Sequence, residues 1–195
     1  MINVFDNVLE PHVAELIDMQ LRDLSWTYNY DSVENGKNKH WHIFCGHNPQ
    51  ECYDNGYGDL IPIWNFIKKH KPQLEMERVY LNAHTHGIEP HKHIDDGEFT
   101  VIYYPRMDWQ TSWGGGTLIE GESLTYYKHS QLKQKNLFSL DLDLQTYLIE
   151  DRFINYIGNR LVMFTASNLH QAQPVSRECY ELRTCVVFKT NLKKD

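Results

Sequence analysis

The feature that most constrains the fold is a change of hydrophobic period at residue 77. From there, apolar side chains recur at every second position over 79–83 and again over 99–103. A period of two is typical of a β-strand with one buried face. Short segments over 117–120 and 160–164 and a longer apolar run over 179–189 predict further strands. Because no helical pattern separates these strands, the sequence predicts a mainly β (α+β) protein built on a sandwich or barrel.

The part of the chain before residue 77 carries helical patterns instead. Residues 11–24 place apolar side chains at three- and four-residue spacing, and residues 60–69 repeat that spacing. Residues 29–58 are rich in Asn, Gly and His, so we expect loops there, with a short strand near 41–44. The sequence therefore predicts one domain over 1–195, with a helical N-terminal part over about 1–75 packed outside a β core over about 76–190.

Charge and hydropathy exclude several classes of partner. The net charge is −7 and no basic stripe is visible, so we expect no nucleic-acid partner. No run approaches the roughly 18 apolar residues of a membrane span, so we expect no membrane partner. The N-terminus lacks an export signal, which predicts a cytoplasmic protein. The sequence specifies no oligomeric state.

The cysteines predict no disulfide framework. The four of them form no Cys-x-x-Cys pair, and we expect free thiols in an intracellular protein. A zinc site at Cys45, His47 and Cys52 is the alternative. The spacing of these residues and the lack of a second cysteine pair are not typical of structural zinc sites.

Histidines point to a metal site of a different kind. The chain has 11 of them, and His93-Ile94-Asp95 is the only His-x-Asp sequence. In an extended segment, residues two apart point to the same side, so one imidazole and one carboxylate converge. His170, which follows the predicted strand over 161–164, is the natural third ligand. Two histidines and one carboxylate form the facial triad of non-haem Fe(II) oxygenases, although His91 has the same parity and can compete.

A co-substrate that chelates a metal at one end needs an anchor at the other. If the distal group is a carboxylate, an arginine suits it, because the guanidinium group matches a carboxylate geometrically. Arg183 stands in the apolar final strand, where a buried arginine requires a partner. Arg177, in the predicted turn after Pro174, is the rival.

Taken together, these residues resemble the Fe(II)- and 2-oxoglutarate-dependent dioxygenases, in particular short bacterial and phage members of the prolyl 4-hydroxylase-like branch. The resemblance covers about 77–190 and rests on His93-Ile94-Asp95 and three segments. The segments are Thr100–Trp109, Trp113–Leu118 and Asn159–Phe164, the last followed by His170 and Pro174. It implies a double-stranded β-helix, the jelly-roll fold of the cupins, with iron held by His93, Asp95 and His170.

The resemblance also implies an activity and its cofactors. The protein would hydroxylate an unactivated C–H bond with Fe(II), O₂, 2-oxoglutarate and ascorbate, releasing succinate and CO₂. The expected substrate is a prolyl residue of a protein or peptide. The residues implied for binding 2-oxoglutarate are Arg183, Tyr104, Asn82, His84 and Cys185. Trp109 and Trp113 are candidates for the substrate rim, and 121–150 is expected to leave the sheet as a surface loop or a lid.

Three alternatives remain open at this point. The first is an oxygenase that acts on a free amino acid or another small metabolite. The second is a cupin-like protein that binds a metal or a small molecule without catalysis. The third is a hydrolase with a metal-bound water, which would need neither Arg183 nor Tyr104.

Overall fold

The computed structural model describes residues 2–33, 38–120, 124–128, 145–147 and 151–193. Three α-helices are present in these ranges: α1 (Pro11–Arg22), α2 (Pro49–Asp54) and α3 (Ile61–His70). The strands up to residue 120 are β1 (Ile2–Asp6), β2 (Thr27–Tyr30), β3 (His40–Gly46), β4 (Leu74–His84), β5 (Phe99–Tyr104) and β6 (Thr117–Glu120). The later ones are β7 (Leu124–Lys128), β8 (Gln145–Tyr147), β9 (Asp151–Ile154), β10 (Arg160–Thr165), β11 (His170–Ala172) and β12 (Arg183–Leu192).

The strands form two sheets. The large sheet has the order β2-β3-β4-β12-β5-β10-β1-β7-β8, and the small sheet has the order β11-β6-β9. All neighbouring strands are antiparallel except β1 and β7, which run parallel. The mainly β architecture predicted from the period-two pattern is confirmed.

Side-chain alternation along the large sheet creates two apolar cores. On β12, Val186 and Phe188 point to one face, where they join a core that includes apolar residues of α1 and α3. Cys185 and Val187 point to the other face, where they pack with side chains of the small sheet such as Ile119. The helices therefore cover the outer face of the large sheet, as expected, and the inner face is left to form the site.

The N-terminal part contains the two expected helices and also strands and a further short helix. The five residues of β1 lie between β10 and β7 within the large sheet, where the sequence predicted no strand. Within 29–58, β3 pairs with β4, and α2 begins after Asn48, whose side chain accepts a hydrogen bond from Glu51 N. The short strand expected near 41–44 is therefore confirmed as β3. The expectation of loops was wrong for α2, because a helix cap overrides a polar local composition.

The segment 121–150 is described only in part. Its residues 124–128 and 145–147 form β7 and β8, which extend the large sheet. These two pieces therefore belong to the sheet, contrary to the expectation that 121–150 leaves it. The possible lid formed by the remainder lies outside the described residues. Within the described ranges, no helix has the length and apolar character needed to cross a membrane. All four cysteines are buried and free, as expected.

Candidate metal centre and co-substrate cavity

An antiparallel β-bridge brings the two predicted histidine ligands side by side. His93 N donates to His170 O at 3.0 Å, and His170 N donates to His93 O at 2.9 Å. The two imidazole rings are therefore cross-strand neighbours, with centroids 4.4 Å apart. Two residues further on, Asp95 N donates to Ala166 O at 3.0 Å, which keeps the segment extended and places Asp95 on the same side as His93.

The ligand atoms of these three residues converge. They all lie within 4.8 Å of one another, and among the described residues no other group of three His, Cys, Asp or Glu side chains does so. His93 Nε2 lies 3.6 Å from Asp95 Oδ1, and His170 Nε2 lies 3.2 Å from Asp95 Oδ2. His91 is not part of this group, and neither are Cys45, His47 and Cys52.

Hydrogen bonds behind the two imidazoles prepare them for a metal. His93 Nδ1 donates to His91 O, and His170 Nδ1 donates to Asn168 O, each at 2.9 Å. These bonds fix the tautomer, so that each Nε2 keeps its lone pair for a ligand. A backbone carbonyl in this position is the usual outer partner of a metal-bound histidine. The donor set therefore fits Fe(II).

The protonation states also suit a metal. Burial and the neighbouring His170 lower the pKa of His93, which keeps its imidazole neutral. Burial by itself raises the pKa of Asp95, but the neighbouring His170 and the charge of Lys189 lower it overall, so the carboxylate is ionised. A neutral imidazole and an ionised carboxylate are the forms that bind metal ions.

The metal ligands open onto a cavity of about 270 Å³ on the inner face of the large sheet. One wall consists of four cross-strand pairs between β4 and β12. These pairs are His84 with Arg183, Asn82 with Cys185, Tyr80 with Val187, and Arg78 with Lys189. Thr100, Ile102, Thr117 and Ala172 complete much of the inner lining. Three of the predicted co-substrate contacts therefore share one wall with Arg183.

Arg183 is a buried cation that faces this cavity, with only 1% of its surface exposed. Its Nε donates to the carbonyl oxygen of Gly115, and its Nη1 lies 3.4 Å from His84 Nδ1. Among the described residues, no carboxylate pairs with its guanidinium group. The rival anchor, Arg177, is exposed and does not line the cavity.

The remaining predicted contacts surround Arg183. Burial, and then the charge of Arg183, place the pKa of His84 well below its ordinary value, so this imidazole is neutral. Asn82 Oδ1 accepts a hydrogen bond from His42 Nδ1 at 2.8 Å. Cys185 Sγ lies 3.7 Å from the carbonyl oxygen of Asn82, a weak hydrogen bond.

Tyr104 lies behind the cavity wall and does not line it. Its ring is fully buried against Tyr156, with centroids 4.5 Å apart. Its hydroxyl shares a 2.6 Å hydrogen bond with Thr117 Oγ1, and Thr117 does line the cavity. Thr117 therefore separates Tyr104 from the open space.

The two tryptophans also lie away from the cavity that the described residues form. Trp109 and Trp113 pack edge to face, with ring centroids 5.2 Å apart, and neither lines the cavity. Trp109 is buried, and its Nε1 donates to Gly114 O at 3.0 Å. The structure therefore does not bring them together with the metal ligands.

Lys189 also belongs to the site, although it was not predicted from the sequence. Its side chain is 1% exposed and its Nζ contacts Asp95 Oδ2. Its strand parity carried a signal, because Lys189 follows Arg183, Cys185 and Val187 at every second position of β12. A lysine on the inner face of an apolar strand needs a partner, which here is the predicted iron ligand.

Comparisons with known proteins identify the fold. No protein-family model and no curated protein matches the sequence. Solved structures do match. A prolyl 4-hydroxylase from Pseudomonas putida is similar at TM-score 0.62 and 11% identity, over 100% of this chain and 93% of that one. A prolyl hydroxylase from Trichoplax adhaerens, in complex with a hypoxia inducible factor peptide, is similar at TM-score 0.61 and 12% identity, over 97% and 82%.

A structure with a different ligand has a similar fold. HygX from Streptomyces hygroscopicus, with nickel, 2-oxoglutarate and hygromycin B bound, is similar at TM-score 0.57 and 10% identity, over 95% of this chain and 80% of that one. At these identities the comparison establishes the fold. The predicted double-stranded β-helix is confirmed, and the chain has the fold of the 2-oxoglutarate- and Fe(II)-dependent oxygenases, prolyl hydroxylases among them.

Proposed function

We propose that this chain is an Fe(II)- and 2-oxoglutarate-dependent dioxygenase of the prolyl-hydroxylase-like branch. Fe(II), 2-oxoglutarate and O₂ together supply the oxidising chemistry that hydroxylates a C–H bond and releases succinate and CO₂, with ascorbate as a candidate reductant. The observation that carries the proposal is Arg183, a buried cation without a carboxylate partner among the described residues, in the cavity that holds the metal ligands.

A cation in such a position points to an anionic ligand. Removing a charge from water costs several kcal/mol unless an opposite charge compensates for it. The guanidinium group suits a carboxylate, and the metal ligands line the same cavity. A dicarboxylate that chelates the metal at its other end satisfies both requirements. A metal hydrolase has no use for this arginine, so the site favours the oxygenase.

The residues have distinct roles in this proposal. His93, Asp95 and His170 hold Fe(II), and their three ligand atoms leave other positions of the ion open. Arg183 binds the distal carboxylate of 2-oxoglutarate. His84, Asn82 and Cys185 line the wall next to it and orient the co-substrate, and Tyr104 acts on it through Thr117.

For the substrate, we propose a prolyl residue of a protein or peptide. Two prolyl hydroxylases are among the similar structures, and one of them was solved with its peptide. HygX, with hygromycin B bound, supports the alternative of a small molecule. Hydroxylation of proline-containing peptides, seen by mass spectrometry as the gain of one oxygen atom, would favour the peptide. Hydroxylation of free amino acids or other small molecules alone would favour the alternative.

The visible spectrum under anaerobic conditions tests the reaction class. Purified protein with Fe(II) and 2-oxoglutarate is expected to show a weak metal-to-ligand charge-transfer band, which is lost in His93→Ala and Asp95→Ala. His91→Ala is the matched control, because it removes a neighbouring imidazole outside the ligand group. A wild-type protein that binds Fe(II) but gives no band with 2-oxoglutarate would instead support the non-catalytic metal-binding alternative.

A further inference from the structure

The metal-ligand segment is held by two cations that are cross-strand neighbours. Lys189 and Arg78 face each other on β12 and β4. Lys189 Nζ contacts Asp95 Oδ2, and Arg78 Nη2 donates to Asp96 Oδ1 at 2.5 Å. Arg78 Nη1 also donates to Glu77 Oε1 at 2.8 Å. Two consecutive carboxylates are therefore paired with two adjacent cations, but only Asp95 belongs to the metal-ligand group.

The two carboxylate oxygens of Asp95 have different contacts. Oδ2 accepts a hydrogen bond from Thr100 Oγ1 at 2.6 Å and contacts Lys189 Nζ, which in turn donates to Thr100 Oγ1 at 3.1 Å. Among the described residues, Oδ1 has only His93 Nε2 nearby, at 3.6 Å. Lys189 and Thr100 thus hold Oδ2, which also lies 3.2 Å from His170 Nε2, and they leave Oδ1 to a metal ion.

Lys189 also changes the charge of the site. His93 and His170 are neutral ligands, and Asp95 contributes one negative charge, which the adjacent ammonium group offsets. A divalent ion bound here would keep nearly all of its own charge. Because charges interact strongly in a buried site, a dianionic co-substrate then gains more from the ion than it would beside an uncompensated carboxylate.

We propose that Lys189 is a positioning residue that makes metal binding and 2-oxoglutarate binding cooperative. It holds Oδ2 of Asp95 and offsets the carboxylate charge, so that the ion binds weakly alone and strongly together with the dianion. The inference rests on the proposed function. By thermodynamic linkage, the factor by which 2-oxoglutarate raises metal affinity equals the factor by which metal raises 2-oxoglutarate affinity.

The test measures the affinity for Mn(II), a redox-stable probe, from the electron paramagnetic resonance signal of the free ion. Each protein is titrated with and without saturating 2-oxoglutarate. We expect 2-oxoglutarate to raise the Mn(II) affinity of the wild type by tenfold or more, within the roughly 5- to 150-fold range of typical couplings. In Lys189→Met the enhancement should fall by about tenfold, with Mn(II) alone bound at least as tightly as in wild type.

Two variants separate charge from hydrogen bonding. Lys189→Gln keeps a hydrogen-bond donor for Asp95 but carries no charge, so it should lose the enhancement as Lys189→Met does. If Lys189→Met does not fold, Lys189→Gln takes its place in the test. Lys189→Arg keeps the charge and should keep the enhancement. A merely structural lysine would change Mn(II) affinity equally with and without 2-oxoglutarate, leaving the ratio unchanged. An unchanged ratio in the uncharged variants, or its loss in Lys189→Arg, would overturn the inference.

Arg78→Met is the matched control. It removes the neighbouring cation of the same strand pair, whose partners Asp96 and Glu77 lie outside the metal-ligand group. We expect it to retain most of the enhancement, and a loss as large as that in Lys189→Met would overturn the assignment to Lys189. If the wild type itself shows no enhancement, the proposed use of 2-oxoglutarate fails. If the wild type shows it and the lysine variants keep it, only the role of Lys189 fails.

Discussion

Replacing Arg183 with methionine should abolish the stabilisation by 2-oxoglutarate and leave metal binding in place. The side chain is buried beside His84 and Gly115, and its guanidinium group has no carboxylate partner among the described residues. Methionine has a similar length and fills the space without a charge. The substitution therefore removes the proposed anchor and no ligand of the metal.

The size of the effect follows from the hydrogen bonds that are lost. A guanidinium group can make two parallel bonds to a carboxylate, each worth about 1.5–3 kcal/mol because a charge is involved. Their loss amounts to about 3–6 kcal/mol, or roughly a 100- to 10,000-fold weaker binding of 2-oxoglutarate. A ligand at a hundred times its Kd stabilises a protein by about 2.7 kcal/mol. For a chain of 195 residues, this corresponds to a rise in Tm of about 5–10 °C.

The assay is thermal unfolding of the Mn(II)-loaded protein with and without 2-oxoglutarate. The wild type should show the rise in Tm, and Arg183→Met should show none at the same concentration, while both keep the shift caused by Mn(II) alone. Arg177→Met is the control, because Arg177 is exposed and away from the cavity. If Arg183→Met kept the 2-oxoglutarate shift, or if Arg177→Met lost it, the anchor would not be Arg183 and the argument from its burial would be refuted.

Two further predictions concern the surroundings of the site. Gly115 has a φ of +71°, and a Cβ added there would lie 3.0 Å from Arg183 Cδ and 3.1 Å from Trp109 Cζ2. Gly115→Ala should therefore weaken 2-oxoglutarate binding. It should also destabilise the protein by about 1–3 kcal/mol, as measured by urea unfolding. Gly56→Ala, also at positive φ but in open space, should destabilise the protein without affecting 2-oxoglutarate, and equal effects of the two on binding would contradict this account. Burial lowers the pKa of His40 from 6.5 to about 4, so its contribution to stability is present above pH 6.5 and is lost as the pH falls toward 4. His40→Phe should therefore lose less stability than the wild type between pH 7 and 5, and parallel urea curves for both would show that His40 does not titrate on unfolding.

The strands of the core and the candidate metal ligands His93 and Asp95 could be predicted because their signals are local. The alternation in β4 and β5 is visible within a few residues, and the spacing of His93 and Asp95 follows from extended backbone geometry. His170 was predicted as the third ligand because it follows a strand of the predicted sheet. The β-bridge between His93 and His170 places the two residues side by side.

Other features depended on partners that are distant in the sequence. β1 is a strand of the large sheet only because β10 and β7 flank it, and nothing within its five residues specifies those neighbours. Whether a side chain lines the cavity or stands behind another is equally non-local, as Tyr104 behind Thr117 shows. Lys189 shared the parity of Arg183, but its partner, Asp95, could be identified only in the folded structure.

The most direct test of the central claim is the formation of succinate from 2-oxoglutarate in air, with Fe(II) present and no added substrate. If His93, Asp95, His170 and Arg183 form one site for iron and co-substrate, the wild type should release succinate slowly, and Asp95→Ala should release none. Arg183→Met should do so only at a much higher 2-oxoglutarate concentration. A wild-type protein with bound Fe(II) that forms no succinate, or an Asp95→Ala variant as active as the wild type, would contradict the claim.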